Sequence, residues 1–153
     1  MQDNYKNIYR SARETAGLTQ ARWAEALGVS VEAVAQYEAG KIMPSEDVVM
    51  RMVEVSVLPA LGYWHLRHKS TVAAELLPAV ERLPLAQAVI QLLVRLRDFQ
   101  QHHRADHLMD IAADGRVDLL EEKLLHEIVE ELHGIIQAAM QVEYAEKEAS
   151  DHD

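Results

Sequence analysis

One short stretch of the chain gathers side chains that can ligate a metal. His103 and His107 stand four residues apart, with His102, Asp106 and Asp110 beside them. A histidine pair at that spacing can share a ligand face on a helix. No further ligand follows at a recognisable spacing, and His103 continues the apolar seam of its segment. Packing is therefore the preferred reading, and no metal is assigned. The turn Asp114-Gly115-Arg116-Val117-Asp118 looks like half of a calcium loop. An EF-hand needs oxygen ligands at alternating positions over about twelve residues, ending on a glutamate, and the residues before Asp114 do not supply them. The acidic run Glu121-Glu122, Glu127, Glu130-Glu131 reads as a solvated helix face. No nucleophile with a base, phosphate loop or metal signature stands out, so the chain is not expected to be an enzyme and no cofactor is assigned.

The 153 residues, 49% of them hydrophobic, suffice for one medium domain or two small ones. There is no cysteine, which removes disulfides and thiolate metal sites and points to a reducing cytoplasm. The N-terminus MQDNYKNIYR has no charged segment followed by an apolar core, and the uncharged stretch Leu83 to Val94 is too short to cross a bilayer. Neither secretion nor membrane insertion is expected. The net charge of −10 is unevenly distributed: residues 1–69 hold eight Lys/Arg and eight Asp/Glu, residues 70–153 seven and seventeen. A neutral half can approach polyanionic DNA, whereas the acidic half would be repelled from it, so two modules with different partners are expected.

The first half is closely punctuated, by Gly17, Gly28, Gly40, Pro44 and Pro59, with short segments of helical periodicity between. A first helix is expected from a cap at Asp3 or Asn4 to Gly17, presenting Ile8 and Ala12. A second runs from a cap at Thr19 to about Leu27, burying Trp23, Ala24 and Leu27 before Gly28. Ser30 caps a third that buries Val34 and Tyr37 and stops at Gly40. Ser45, followed by Glu46 and Asp47, opens a fourth, and a fifth spans Pro59 to about His68.

The informative stretch is GLTQARWAEALGVSVEAVAQYEAG, residues 17–40. Two helices of about eight residues are joined by Gly28-Val29-Ser30, in which glycine accepts the sharp backbone, Val29 fills the space between helices and Ser30 caps the next one. The small Ala24 allows a close helix crossing. Gly-Leu-Thr-Gln at 17–20, Ala24, Leu27-Gly28-Val29-Ser30, Tyr37-Glu38-x-Gly40, Lys41 and Pro44-Ser45 together resemble the Xre/Cro-like helix-turn-helix of phage repressors and bacterial regulators. The resemblance covers about residues 5–66.

The resemblance implies that Gln20 holds a DNA phosphate at the start of the second helix, where helix N-termini favour anions. It implies further that Ser30, Val31, Glu32, Ala35 and Gln36 lie at the start and on the outward face of a recognition helix. In the major groove Gln36 can pair with adenine, Glu32 can accept from a cytosine amino group and Val31 can meet a thymine methyl. Lys41 would hold backbone phosphate, and Arg13 and Glu38 match positions that form a structural ion pair. The recognition helix carries no Lys or Arg and does carry Glu32, so phosphate attraction falls to the flanking Arg10, Arg22 and Lys41.

In the second half, after Pro78 and Pro84, the stripe Leu85, Val89, Leu92, Leu96 and Phe99 is followed by a second, Leu125, Ile128, Leu132, Ile135, Ala139 and Val142. Gly115 is expected to end the first of these helices. Asp118 then caps the second, with Glu121 at the capping-box position. The Asp-Gly-x-Val-Asp turn is faintly similar to one in tellurite-resistance-B-like helical domains and is read as turn and cap. Widened by Leu93, Leu124, Val129 and Ile136, the seams exceed what a two-helix pair covers, so they are expected to meet either the N-terminal domain or a second subunit. From Glu146 a frayed tail is expected.

The expected fold is all-α: a five-helix helix-turn-helix domain at 1–69, a connection at 70–84 and an acidic helical hairpin at 85–153 that dimerises. The expected function is a sequence-specific transcriptional regulator, more often a repressor in such families, binding double-stranded DNA as a homodimer on a palindromic site. No membrane partner is expected, and any small-molecule or protein effector is unassigned. The alternative is an antirepressor-like or co-regulator interaction module in which DNA binding is weak or lost.

Overall fold

The structure, a computed structural model, describes residues 7–147, and every regular element among them is a helix. The chain divides into two compact units, residues 1–77 and 78–153.

The first unit contains α1 (Ile8–Thr15), α2 (Gln20–Leu27), α3 (Val31–Glu38), α4 (Glu46–Ser56), α5 (Ala60–Lys69) and α6 (Thr71–Leu76). The cap expected at Asp3 or Asn4 lies outside the described residues. The observed α1 starts at Ile8, where Asn7 Oδ1 accepts the amides of Tyr9 at 2.9 Å and Arg10 at 3.4 Å. Thr19 and Ser30 cap α2 and α3 by accepting the amides of Arg22 (3.3 Å) and Ala33 (3.1 Å). Ser45 makes no such side-chain bond, and α4 begins instead on its two acidic residues, Glu46 and Asp47, at the positive end of the helix dipole. The short helix α6 occupies part of the stretch expected as a connection. Ser70 caps it, and Arg67 of α5 fastens it by donating from Nε to the Leu77 carbonyl and from Nη2 to the Ala74 carbonyl, both at 3.1 Å.

Trp23, Leu27, Val34, Met52 and Leu61 converge as fully buried side chains, with Ala12 and Ala24 allowing close approach between helices. Each such large side chain contributes about 1.5–3 kcal/mol by leaving water. Tyr37, expected in this core, is only half-buried. A polar contact crosses the same interior: the Tyr9 hydroxyl bonds His65 Nδ1 at 2.9 Å, joining α1 to α5. Burial, above all, lowers the His65 pKa, because a charged imidazolium would lose its hydration there.

The second unit contains α7 (Leu85–Gln101), α8 (Arg104–Ala112) and α9 (Leu119–Glu143), with α7 and α9 packed together. The capping box at α9 is complete. Asp118 Oδ1 accepts the amides of Leu120 at 2.8 Å and Glu121 at 2.9 Å, and Glu121 Oε2 accepts the Asp118 amide at 2.9 Å. Ile128 and Ala138 of α9 and Ala88 of α7 are fully buried.

Two expectations for this unit are corrected. The helix expected to run unbroken to Gly115 stops at Gln101 and restarts at Arg104, because His103 adopts a left-handed conformation with φ 51°. His103 therefore leaves the seam and is three-quarters exposed, near Asp106 at 3.4 Å. The restart is anchored across the hairpin by Arg104, whose Nη2 donates to Glu131 Oε1 at 2.6 Å. The chain at Glu146 is likewise not frayed: its amide donates to the Leu83 carbonyl at 2.8 Å, and its carbonyl accepts the Leu85 amide at 3.2 Å. Only residues from 148 onward in the expected tail lie outside the described residues.

Candidate nucleic-acid interface

The site is built around the connection between α2 and α3. Gly28 sits at φ 65°, ψ 35°, a conformation that costs a residue with a Cβ about 1 kcal/mol or more. The reversal is closed by the Val29 amide, which donates to the Ala24 carbonyl at 3.1 Å. Val29 is half-buried, and Ser30 returns to extended backbone to cap α3. Val34 anchors α3 inward while Val31, Glu32 and Ala35 are exposed on its other side. Gln36 is half-buried, its Nε2 directed to Glu32 Oε1 at a long 3.4 Å. This surface presents an apolar group, a carboxylate, a methyl and an amide, all of which can meet base edges and none of which attracts phosphate.

Arg13 fixes the setting of the two helices. Its Nε and Nη2 donate to the two carboxylate oxygens of Glu38, at 2.5 and 3.0 Å, and its Nη1 donates to the Leu18 carbonyl at 2.9 Å. One guanidinium thus ties α1, the loop before α2 and the end of α3. Burial raises the Glu38 carboxyl, but bonds from Arg13 and Gln20 outweigh it and hold its pKa below the ordinary glutamate value. The Glu38 hydrogen bond correspondingly raises Arg13. Gln20 is part of this lock, since its Nε2 donates to Glu38 Oε2 at 2.9 Å. One amide proton is thereby committed to protein, leaving the other and the first-turn backbone amides of α2 for an anion.

The basic residues around this face differ in availability. Arg10 bonds Glu14 at 2.9 Å and Arg22 bonds Glu25 at 3.0 Å. Lys41 lies three residues past the end of α3, is exposed, and has no acidic partner among the described residues. Beside it stand Ile42 and Met43, about half exposed, which the sequence reading did not single out. Their position after Gly40, beyond the last periodic residue of α3, is the signal that could have marked them. Asn7 was also missed: its Nδ2 donates to the Tyr37 carbonyl at 3.0 Å and so pins α3 to the start of α1.

His103 and His107, the weaker metal candidates, share α8 and its leading edge. His107 Nδ1 is buried with no hydrogen-bond partner among the described residues. There, no three His, Asp or Glu side chains come together as a metal group. No helix among the described residues is long and apolar enough to cross a membrane.

Residues 10–59 match a family model described as a helix-turn-helix domain, a span that runs from the body of α1 past the end of α4 and includes the α2–α3 turn. This segment is a helix-turn-helix domain. The likeness of the Asp114–Asp118 turn to tellurite-resistance-B-like domains gains no support from that match, which ends well before it. Comparison with curated proteins and with solved structures returns no match.

Proposed function

We propose that the chain is a DNA-binding transcriptional regulator of the phage-repressor type. In this reading it is a cytoplasmic, non-enzymatic repressor that acts as a homodimer on a palindromic operator. The observation that carries the proposal is the outward face of α3. Val31, Glu32 and Ala35 are exposed beside half-buried Gln36, on a helix whose inner side is held by Val34 and whose far end is locked by Arg13 and Glu38. A helix so held can enter a major groove without reorganising. Lys41 at its end, and the amide-rich start of α2 near Gln20, supply the phosphate contacts that α3 lacks. So few cations give one head modest affinity. Two heads joined on a two-fold site recover it by effective concentration. The hairpin offers a surface for that pairing in Ile90, Leu93 and Val94, which lie 62%, 54% and 45% exposed on adjoining turns of α7.

Mobility-shift titration against genomic fragments at about 50 and 200 mM salt tests this, because affinity carried by phosphates falls steeply between these concentrations. Retarded fragments at low salt that weaken at high salt are expected. If no fragment shifts at low salt, the second reading takes over: the head is a protein-docking module. Val31, Ile42 and Met43 favour that reading, since three exposed apolar side chains around one helix suit a protein surface better than a phosphate backbone.

A further inference from the structure

The hairpin unit contains a cavity of about 200 Å³ lined by Arg95, Asp98, His102 and Glu131, where α7 ends and α8 begins. Its charges are not all committed. Glu131 is taken by Arg104, which donates from Nε at 3.0 and 3.2 Å and from Nη2 at 2.6 Å. Arg95 and Asp98 are three residues apart on α7, a spacing at which opposite charges commonly meet. Neither, however, has an ionic partner among the described residues.

The Arg95 guanidinium lies against α9 at Gly134 instead. A Cβ at position 134 would stand 2.5 Å from Nη1 and 3.2 Å from Cζ of Arg95, so a side chain there would displace the guanidinium. Glycine weakens a helix interior relative to alanine, and here it opens the notch in which the cation is seated.

We propose that this cavity binds a free α-amino acid, its carboxylate on Arg95 and its ammonium on Asp98. A guanidinium offers a planar fork that matches a carboxylate, and a carboxylate one helix turn away offers the complementary anion. The His102 imidazole adds a donor or acceptor for the side chain of the ligand. Pockets for drug-sized ligands run to roughly 300–1,000 Å³, and a site of about 200 Å³ suits a compact zwitterion. The site belongs to the hairpin alone and does not depend on whether the head binds DNA.

Isothermal titration calorimetry of the full chain, without DNA, against each of the twenty standard L-amino acids tests the assignment. At least one is expected to bind saturably, one per chain. Its decarboxylated and its deaminated analogues should each bind at least about tenfold more weakly. Arg95→Gln and Gly134→Ala should each weaken it by a similar factor. Asp98→Asn, an exposed change on α7, supplies a variant in which folding is not at stake, with helicity checked by circular dichroism. The proposal is overturned if no amino acid binds at millimolar concentration, if either analogue binds as well as its parent, or if Asp98→Asn leaves the affinity unchanged.

Discussion

The two units differ in how much of their apolar surface they cover. Among the described residues of the first, thirteen hydrophobic ones are buried, with Trp23, Ala12 and Met52 at zero exposure, against nine large exposed ones. Among the described residues of the second, six are buried, including the small Ala88, Ala138 and Ala145, against ten exposed, with Leu119 and Leu120 at 86%. A six-helix head with a central tryptophan closes on itself. A hairpin whose α7 turns Ile90, Leu93 and Val94 outward leaves a stripe of the kind a second helical surface covers. Stability is therefore expected to be intrinsic to the first unit and to depend on protein concentration in the second.

The largest effect should come from the head. Trp23→Ala removes a fully buried indole and should cost about 3–5 kcal/mol, read as a lower midpoint in urea unfolding that does not change with protein concentration. The hairpin provides the contrast. Ile90→Glu with Leu93→Glu touches side chains already exposed. In the dimer reading the pair removes about 3 kcal/mol or more of association, and sedimentation equilibrium of the full chain should change from dimer to monomer. If the wild-type chain already sediments as a monomer, the apolar stripe needs another explanation.

Acid should distinguish two groups within the head. Burial lowers the His65 pKa, so its buried neutral form adds stability that is fully present above the unfolded value of 6.5 and is lost as pH falls below it. Glu38, held below its ordinary value by Arg13 and Gln20 against the opposing effect of burial, adds stability present above 4.5 and lost as pH falls through the lowered value. Unfolding free energy should therefore decline in two stages on acidification. The upper stage should be absent in His65→Phe and the lower one in Glu38→Gln.

In the DNA reading, effects of about 1–3 kcal/mol come next. Gln36→Ala should alter the preferred base at one position in sequences selected from random DNA. Lys41→Ala should weaken all sequences alike and reduce the salt slope by about one unit. Identical behaviour of the two variants would refute the division into reading and holding residues.

Legibility in the sequence follows the same division between units. The α2–α3 turn was readable because its signals are local: Thr19 and Ser30 each accept the amide three residues on, and Gly28 takes a backbone only glycine adopts freely. The Asp118–Glu121 capping box is local in the same sense. The break at His102–His103 was not readable, because histidine is no helix breaker and the apolar stripe runs through it. What secures the restart of α8 is the Arg104–Glu131 pair, 27 residues apart. The tie of Glu146 to Leu83 and Leu85 is made by backbone groups alone, which leave no mark in residue type. At the candidate interface, composition revealed the shortage of cations on α3. It did not reveal that Gln20 shares Glu38 with Arg13, a contact 18 residues away.

The smallest expected effect compares one backbone position from each unit. Val57, at the end of α4, and His103, before α8, are the two non-glycine residues with positive φ among the described residues, both at 51°. Val57 is 81% exposed, and His103 has only a long, exposed contact with Asp106, so neither substitution removes much packing. Glycine at either position relieves the Cβ clash of the left-handed region, while the freer unfolded chain offsets part of the gain. A β-branched side chain fits that region worse than histidine, which is enriched there. Val57→Gly should therefore stabilise by up to about 1 kcal/mol and His103→Gly by less, both read from thermal unfolding. If His103→Gly proves destabilising, the bend between α7 and α8 is held by the imidazole itself. The hairpin would then contain a side-chain-specific joint where the head has only a strained helix end.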